Sequence, residues 1–160
     1  TNSTKEILER YALAVFYYST DGPNWTRRDF PFLSANSVCD WNNGMSKDWG
    51  GEVNGIGIFC RGSSTLLSIT LRNNGLDGTI PWELSLLTDM PGCLLSNNAL
   101  RGTIPVEISS MTNLEYLHLF SNALTGPLPG ELPPSMKVLN FNNNSLTGTI
   151  PTGWGTRLSN

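Results

Sequence analysis

Charge is scarce in this sequence. Of 160 residues, 10 are Lys or Arg and 13 are Asp or Glu, leaving a net charge of −3. So few cations cannot grip a phosphate backbone or an anionic membrane by electrostatics, which argues against nucleic acid as a partner. Histidine occurs once, at His118, so any imidazole-dependent acid–base or nucleophilic scheme has one possible location. No apolar run approaches the roughly 18 residues of a membrane-spanning helix, so no transmembrane segment is expected. Cysteine occurs three times, at Cys39, Cys60 and Cys93. Cys39 and Cys60 have no neighbouring His or further Cys to complete a four-ligand zinc site, and they are read as a disulfide. That pairing places the chain in an oxidising space, extracellular or the lumen of an organelle. No metal site and no cofactor are expected. Gly55-x-Gly57 lacks the third glycine, the following helix and the acidic residue of a dinucleotide loop.

What the chain has in abundance is turn chemistry, with 16 Gly and 10 Pro, and a repeated phrase. Asn74-x-Leu76-x-Gly78-x-Ile80-Pro81 returns as Asn98-x-Leu100-x-Gly102-x-Ile104-Pro105. It returns again as Asn122-x-Leu124-x-Gly126-x-Leu128-Pro129 and Asn144-x-Leu146-x-Gly148-x-Ile150-Pro151. The intervals are 24, 24 and 22 residues, and a fixed period in this range marks a stacked repeat protein. An apolar triplet precedes each asparagine: Leu66, Ile69, Leu71; Met90, Cys93, Leu95; Leu114, Leu117, Leu119; Met136, Leu139, Phe141. Its last two members alternate as on a strand, so they point into a core while the intervening residues face out. Stacked in parallel, these strands make one sheet along one side. Cys93 holds one of the inward positions and reads as a small buried hydrophobe.

The asparagine turns the chain where the backbone has no strand partner. Asn74, Asn98, Asn122 and Asn144 are therefore expected to form a ladder of side-chain-to-backbone hydrogen bonds running from repeat to repeat. The glycine of each phrase allows close approach or positive φ. Leu84 and Leu87, then Ile108 and Met111, fill the opposite wall.

Ahead of the repeats, residues 1–22 read as a capping helix. Ser3 and Glu6 match a capping box, Ile7, Leu8, Tyr11, Ala12, Val15 and Phe16 recur at helical spacing, and Asp21-Gly22-Pro23 ends the helix. Between 23 and 65, Trp25, Phe30, Phe32, Trp41 and Trp49 supply apolar area, periodicity is weak before Val53, and Gly57-Ile58-Phe59-Cys60 reads as a short strand. The division is an N-terminal cap at 1–65 and four repeats at 66–89, 90–113, 114–135 and 136–160. The third repeat is two residues short at Pro133-Pro134, which should alter the side opposite the sheet and leave the sheet register intact. Trp154 and Leu158 are candidates to cover the last coil. With no cysteine pair to close that end, further chain or a partner is expected over it.

The stretch 66–151 resembles the plant-type leucine-rich repeat family, whose signature is L-x-x-L-x-L-x-x-N-x-L-x-G-x-I-P. The segment before it resembles that family's N-terminal cap: a helix, Asn24-Trp25, Cys39-x-Trp41, then Trp49 leading to Gly57-Ile58-x-Cys60. Such caps occur in receptor ectodomains, in polygalacturonase-inhibitor-like proteins and in secreted or lumenal algal repeat proteins. The Tyr17-to-Trp25 run is most similar to the algal kind. The 40–59 insertion between the cap cysteines is longer than the family's usual spacing. The resemblance implies an α/β solenoid: about four coils in a short curved right-handed superhelix, with a parallel sheet on the concave face and a helical, disulfide-bonded cap.

Function must then lie on residues that the motif leaves free. The outward strand positions form a grid of three columns: Ser68, Gly92, Tyr116, Val138; Thr70, Leu94, His118, Asn140; Arg72, Ser96, Phe120, Asn142. Within it Leu94, Tyr116, His118 and Phe120, with Asn140 and Arg72, make an aromatic and polar patch suited to a protein or peptide partner. A plainer role for such aromatics is cross-strand packing. Catalysis fits poorly, because His118 has Ser96 as a conceivable neighbour but no third group to orient it. Glu115 should point away from His118, and Asp77, Glu83, Glu107 and Glu131 fall on turns or the convex side. The sequons at Asn2, Asn24 and Asn143 are glycosylation candidates in a secretory route, Asn24 foremost.

The sequence thus points to a non-enzymatic recognition domain with a protein or peptide ligand on the concave sheet. The alternative is a structural subunit docked onto a large multi-subunit complex through its ends or convex surface. An inhibitor of a cell-wall glycosidase is a more distant reading that rests on family analogy. Thiol titration of unfolded, unreduced protein should count one free thiol per chain, and three would reject the Cys39–Cys60 bridge.

Overall fold

The computed structural model describes residues 3–42, 55–62 and 65–155. Asn2, Trp49, Val53 and Leu158 lie outside the described residues, as does the Ser3 side chain of the capping box. In chain order the elements are α1 (Ser3–Ser19), β1 (Gly57–Arg61), β2 (Thr65–Thr70), β3 (Asp77–Thr79), β4 (Gly92–Leu94), β5 (Ala99–Gly102), β6 (Tyr116–His118), β7 (Ala123–Pro127), β8 (Val138–Asn140) and β9 (Ser145–Thr147). Short 3-10 turns at Trp82–Leu86 and Val106–Ser110 follow the proline of the first two phrases.

The apolar triplets build the expected sheet. Its strand order is β1-β2-β4-β6-β8, with β2, β4, β6 and β8 parallel and in unbroken register from Ser68, Gly92, Tyr116 and Val138 onward. Ile69, Leu71, Cys93, Leu95, Leu117 and Leu119 on its inner face are almost completely buried. Facing them, Leu84, Leu87, Ile108 and Met111 close the opposite wall, also buried. Burying one such side chain is worth roughly 1.5–3 kcal/mol, so the stacked triplets are the main apolar source of stability. Burial in this apolar wall pushes the Cys93 thiol up to about 12, leaving it un-ionised and inert.

One sheet was expected and two are present. The second, β3-β5-β7-β9, is also parallel and comes from the repeated phrase itself. Leu76, Leu100 and Leu124 point from it into the core at 0% exposure. The phrase alternates with period two across Leu-x-Gly-x-Ile, but its glycine and proline make it read as a bend. The glycines meet both demands: φ is 137° at Gly78, and a Cβ there would lie 2.0 Å from the Ser19 carbonyl oxygen. Any side chain would push the cap off the first coil.

The asparagine ladder is present and has a direction. Asn98 Oδ1 accepts from the amides of Asn74 and Leu76 in the preceding coil, while its Nδ2 donates to the carbonyls of Leu71, Leu95 and Ser96. Asn122 and Asn144 repeat the arrangement on Leu100 and Leu124, with Nδ2 donating back to Leu95 and Leu119. The residue before each ladder asparagine takes a left-handed conformation: Asn73 (φ 51°), Asn97 (57°), Ser121 (54°) and Asn143 (55°). Asparagine tolerates that region better than other non-glycine residues, which accounts for the Asn-Asn pairs at three of the four turns.

The cap imitates a missing coil. Asn74 has no preceding repeat, and its Oδ1 accepts instead from the amide of Arg27 at 2.7 Å, with Thr26 N donating to Asn74 O. Its Nδ2 finds no acceptor among the described residues. Helix α1 packs across the first coil: Thr20 O accepts from Asp77 N at the edge of β3, and Lys5 pairs with Asp89 at 2.7 Å. Strand β1 pairs antiparallel with β2, and Cys60 on β1 is bonded to Cys39. Trp25, Phe30 and Trp41 are buried, Phe32 packs against them, and Arg10 lies 5.1 Å over the Trp41 ring.

The helix is rotated from the expected face. Glu9, Ala12, Leu13, Phe16 and Thr20 are buried, whereas Ile7, Leu8 and Tyr11 are 65, 45 and 49% exposed. Between Tyr11 and Thr20 the helix carries no charge, so periodicity could not choose a face. Tertiary contacts chose it: Phe16 meets Trp25 at 6.2 Å, and Trp25 Nε1 donates to Thr20 O.

At the other end the short third repeat has no 3-10 turn and its strand register is unchanged, as expected from the deletion at Pro133-Pro134. Trp154 covers the last coil, its Nε1 donating to Pro129 O. Leu139, Phe141 and Leu146 remain half-buried, and Ile150 is 73% exposed.

In urea denaturation Asn98→Ala should destabilise the protein by about 1–3 kcal/mol, the cost of leaving buried groups unpaired. Asn74→Ala should cost clearly less, because it removes one such bond. Equal losses would mean that side-chain hydrogen bonds do not set the difference.

Candidate functional site

The strand register places the outward residues of the first sheet in the expected columns, Ser68-Gly92-Tyr116-Val138 and Thr70-Leu94-His118-Asn140. Backbone bonds from Asn73, Asn97 and Ser121 to the carbonyls of Ser96, Phe120 and Asn142 carry the register into the third column. Exposure is uneven across this grid. Ser68, Thr70, Gly92, Leu94 and Ser96 are buried, Arg72, Tyr116, His118, Phe120 and Asn140 are half-buried, and Val138 and Asn142 are exposed. The face is therefore accessible on β6 and β8 and closed on β2 and β4.

Arg72 reaches across the closed half of the face. Its Nη2 lies 3.4 Å from His118 Nδ1, two strands away, a separation of about 10 Å at the usual strand spacing. The guanidinium must cross the intervening strand between them, over Leu94 and Ser96. Leu94, expected as a ligand contact, is 4% exposed and offers no surface to a partner. Outward-facing position alone did not reveal this, because spacing tells which face a side chain takes and not what lies over it.

The remaining expected residues converge. His118 and Phe120 have ring centroids 6.3 Å apart, Asn140 is the strand neighbour of His118, and Tyr116 flanks Val138. His118 Nε2 and Ser96 Oγ are buried and lack hydrogen-bond partners among the described residues. Such orphans are costly unless something satisfies them. Burial, and secondarily the Arg72 charge, lower the His118 pKa, so its neutral form accepts from Arg72. Glu115 is turned to the strand edge, where it pairs with Lys137 at 2.9 Å. Asp77 pairs with Arg101 across β3 and β5 on the second sheet, far in the chain's layout from His118.

Among the described residues no three His, Cys, Asp or Glu side chains converge as metal ligands, and no helix is long and apolar enough to cross a membrane. Asn24 is exposed, its amide donating to Asp21. Asn143 is exposed as well, in the left-handed turn beside Asn144.

The Leucine Rich Repeat family model matches residues 113–134 and 135–156, the two coils whose strands carry this patch. The described coils have the leucine-rich repeat fold, a parallel solenoid with a disulfide-bonded cap. The fold agrees with that of the ectodomain of the receptor kinase SOBIR1 from Arabidopsis thaliana, at TM-score 0.60 and 24% identity, covering 85% of this chain and 66% of that one. A plant peptide hormone receptor, RGFR1 in complex with RGF2, matches at TM-score 0.52 and 35% identity, covering 55% of this chain and 14% of that one. A plant ice-binding protein matches at TM-score 0.59 and 23% identity, covering 94% and 53%. The leucine-rich repeat chain thus spans less than two thirds of each of these structures. No curated relative matches its sequence.

The lowered His118 pKa gives a signed pH dependence. Its contribution to stability is complete above the ordinary value of 6.5 and is lost as the pH falls from there through the folded-state value. In urea titrations the advantage of the wild type over His118→Gln should shrink between neutral and mildly acidic pH. A pH-independent difference would contradict the placement of His118.

Proposed function

We propose that this chain is a non-enzymatic recognition domain whose ligand, a protein or peptide, binds the accessible half of the concave sheet. The observation that carries the reading is the pairing of aromatic surface with unmet hydrogen bonding at one place. Tyr116, His118 and Phe120 have no role in the repeat motif, and His118 Nε2 is buried without a partner. Aromatic side chains beside polar groups are the usual anchors of protein interfaces, and a peptide main chain supplies both donors and acceptors to the orphaned atoms. Asn140 and Asn142 on the adjoining strand form a polar rim. RGFR1, which binds RGF2, uses the same repeat architecture, although the ice-binding relative is a reminder that one fold serves several ends.

The Cys39–Cys60 bridge supports an extracellular or lumenal location, where exposed Asn24 and Asn143 are available to glycosylation.

A second reading has its own observation. The outer face of α1 exposes Ile7, Leu8, Tyr11 and Tyr18, the last at 69%, and a stripe of this kind suits docking into a larger assembly. The two are separable in native pull-downs. Replacing Tyr116, His118 and Phe120 with alanine should abolish capture of the partner while the variant stays folded at the assay temperature, with the modest loss of stability expected from removing His118. If capture survives that triple change and disappears with Tyr11→Arg/Tyr18→Arg, the helix face is the interface and the concave-sheet proposal fails.

A further inference from the structure

Two basic side chains of the concave patch touch each other. Arg72 and His118 are the basic residues of its outward columns, and no Asp or Glu stands in those columns, although the chain has 13. Arg72 Nη2 lies 3.4 Å from His118 Nδ1. A guanidinium can only donate, so Nδ1 is the accepting nitrogen and the neutral ring keeps its proton on Nε2. Both residues are half-buried, within reach from the solvent side of the sheet.

The surroundings of His118 leave that contact to govern its charge. Leu94 on β4 and Asn140 on β8 flank it in register and do not ionise. Tyr116 and Phe120 lie two residues to either side along its own strand. Glu115 is held at the strand edge by Lys137 at 2.9 Å. Burial, and after it the Arg72 charge, keep the imidazole below its ordinary 6.5. Protonation at Nδ1 removes the acceptor and sets an imidazolium against a guanidinium, like charges in direct contact. An anion placed between them reverses that penalty, because each cation then gains a charge-assisted bond.

On the reading of the concave patch as the ligand face, on which this rests, we propose that the partner presents an acidic peptide segment. Its carboxylate enters between Arg72 and His118, and capture strengthens as His118 takes up a proton. By linkage, the bound carboxylate raises the His118 pKa above its lowered free value. Affinity therefore grows as the pH falls through the bound value and levels off below the free one. Aspartate and glutamate side chains, which titrate at about 4, stay ionised through most of that window. Mild acid favours capture and neutral pH favours release.

His118 is the sole histidine, so its ring resonances report on the site without ambiguity. They are followed by NMR against pH in the whole chain, alone and with an acetylated, amidated tetraglutamate peptide as probe. Without the peptide, Arg72→Gln should raise the His118 pKa, which tests the contact independently of any ligand. The peptide should shift the ring resonances saturably and raise the pKa by about one unit, equivalent to about a tenfold gain in affinity from neutral to mildly acidic pH. A tetraglutamine peptide should do neither. In His118→Gln, followed at the Asn140 amide, the pH-dependent gain should vanish. Glu9, whose pKa is raised by burial, titrates in both chains and cannot account for that difference. An unchanged His118 pKa in Arg72→Gln, equal effects of the two peptides, or a gain that survives in His118→Gln overturns the proposal. Two further outcomes overturn it while leaving the concave face as the recognition surface. One is a native partner lost with the triple alanine change yet held equally at both pH values. The other is the same dependence on the patch with no saturable shift by tetraglutamate.

Discussion

Everything in this fold depends on satisfying the backbone of turns that have no strand partner. A coil of about 24 residues that doubles back on itself buries amides and carbonyls at its corners, and each one left unpaired costs as much as a good apolar contact returns. The ladder asparagine answers with one side chain that accepts from the coil before it and donates both to that coil and to its own. The corner is thereby solved only in company. A single repeat could not meet its own hydrogen-bonding needs, so the repeats form a row or do not form at all.

The cap follows from the same constraint. The first asparagine requires an amide where no repeat exists, and the loop at Thr26 and Arg27 supplies it. Around that substitution the chain gathers its large aromatics, its disulfide and its helix. The cap is best understood as an irregular coil with the hydrogen bonds of a repeat on one side and a different surface on the other. That difference is why the cap, and not the repeats, carries the apolar outer stripe of α1.

The repeat positions were legible from the sequence because each has one physical duty: Ile69 and Leu71 fill the core, Asn98 closes a corner, Gly78 avoids a carbonyl. The second sheet was written there too, in the alternation of Leu76, Gly78 and Ile80, but its glycine and proline imitate a simple bend. The left-handed turns had a signal that went unused, the doubled asparagines at 73–74, 97–98 and 143–144. The helix face was not legible, since a stretch from Tyr11 to Thr20 without charge has no preferred side until Trp25 is packed against it. At the candidate site the columns of the grid followed from spacing alone. The burial of Leu94 did not, because spacing does not report what lies over a strand.

Burial along the row is graded. The phrase isoleucine is 5 and 3% exposed in the first two coils and 73% exposed in the fourth. In a one-dimensional array whose cohesion comes from nearest neighbours, such a gradient makes opening directional. Among the described residues burial deepens towards the cap, so the coils nearest it have the most apolar contact to lose on opening. Tyr116, His118, Phe120 and the exposed residues of β8 lie on the less deeply buried side of that gradient, and the cap lies on the other.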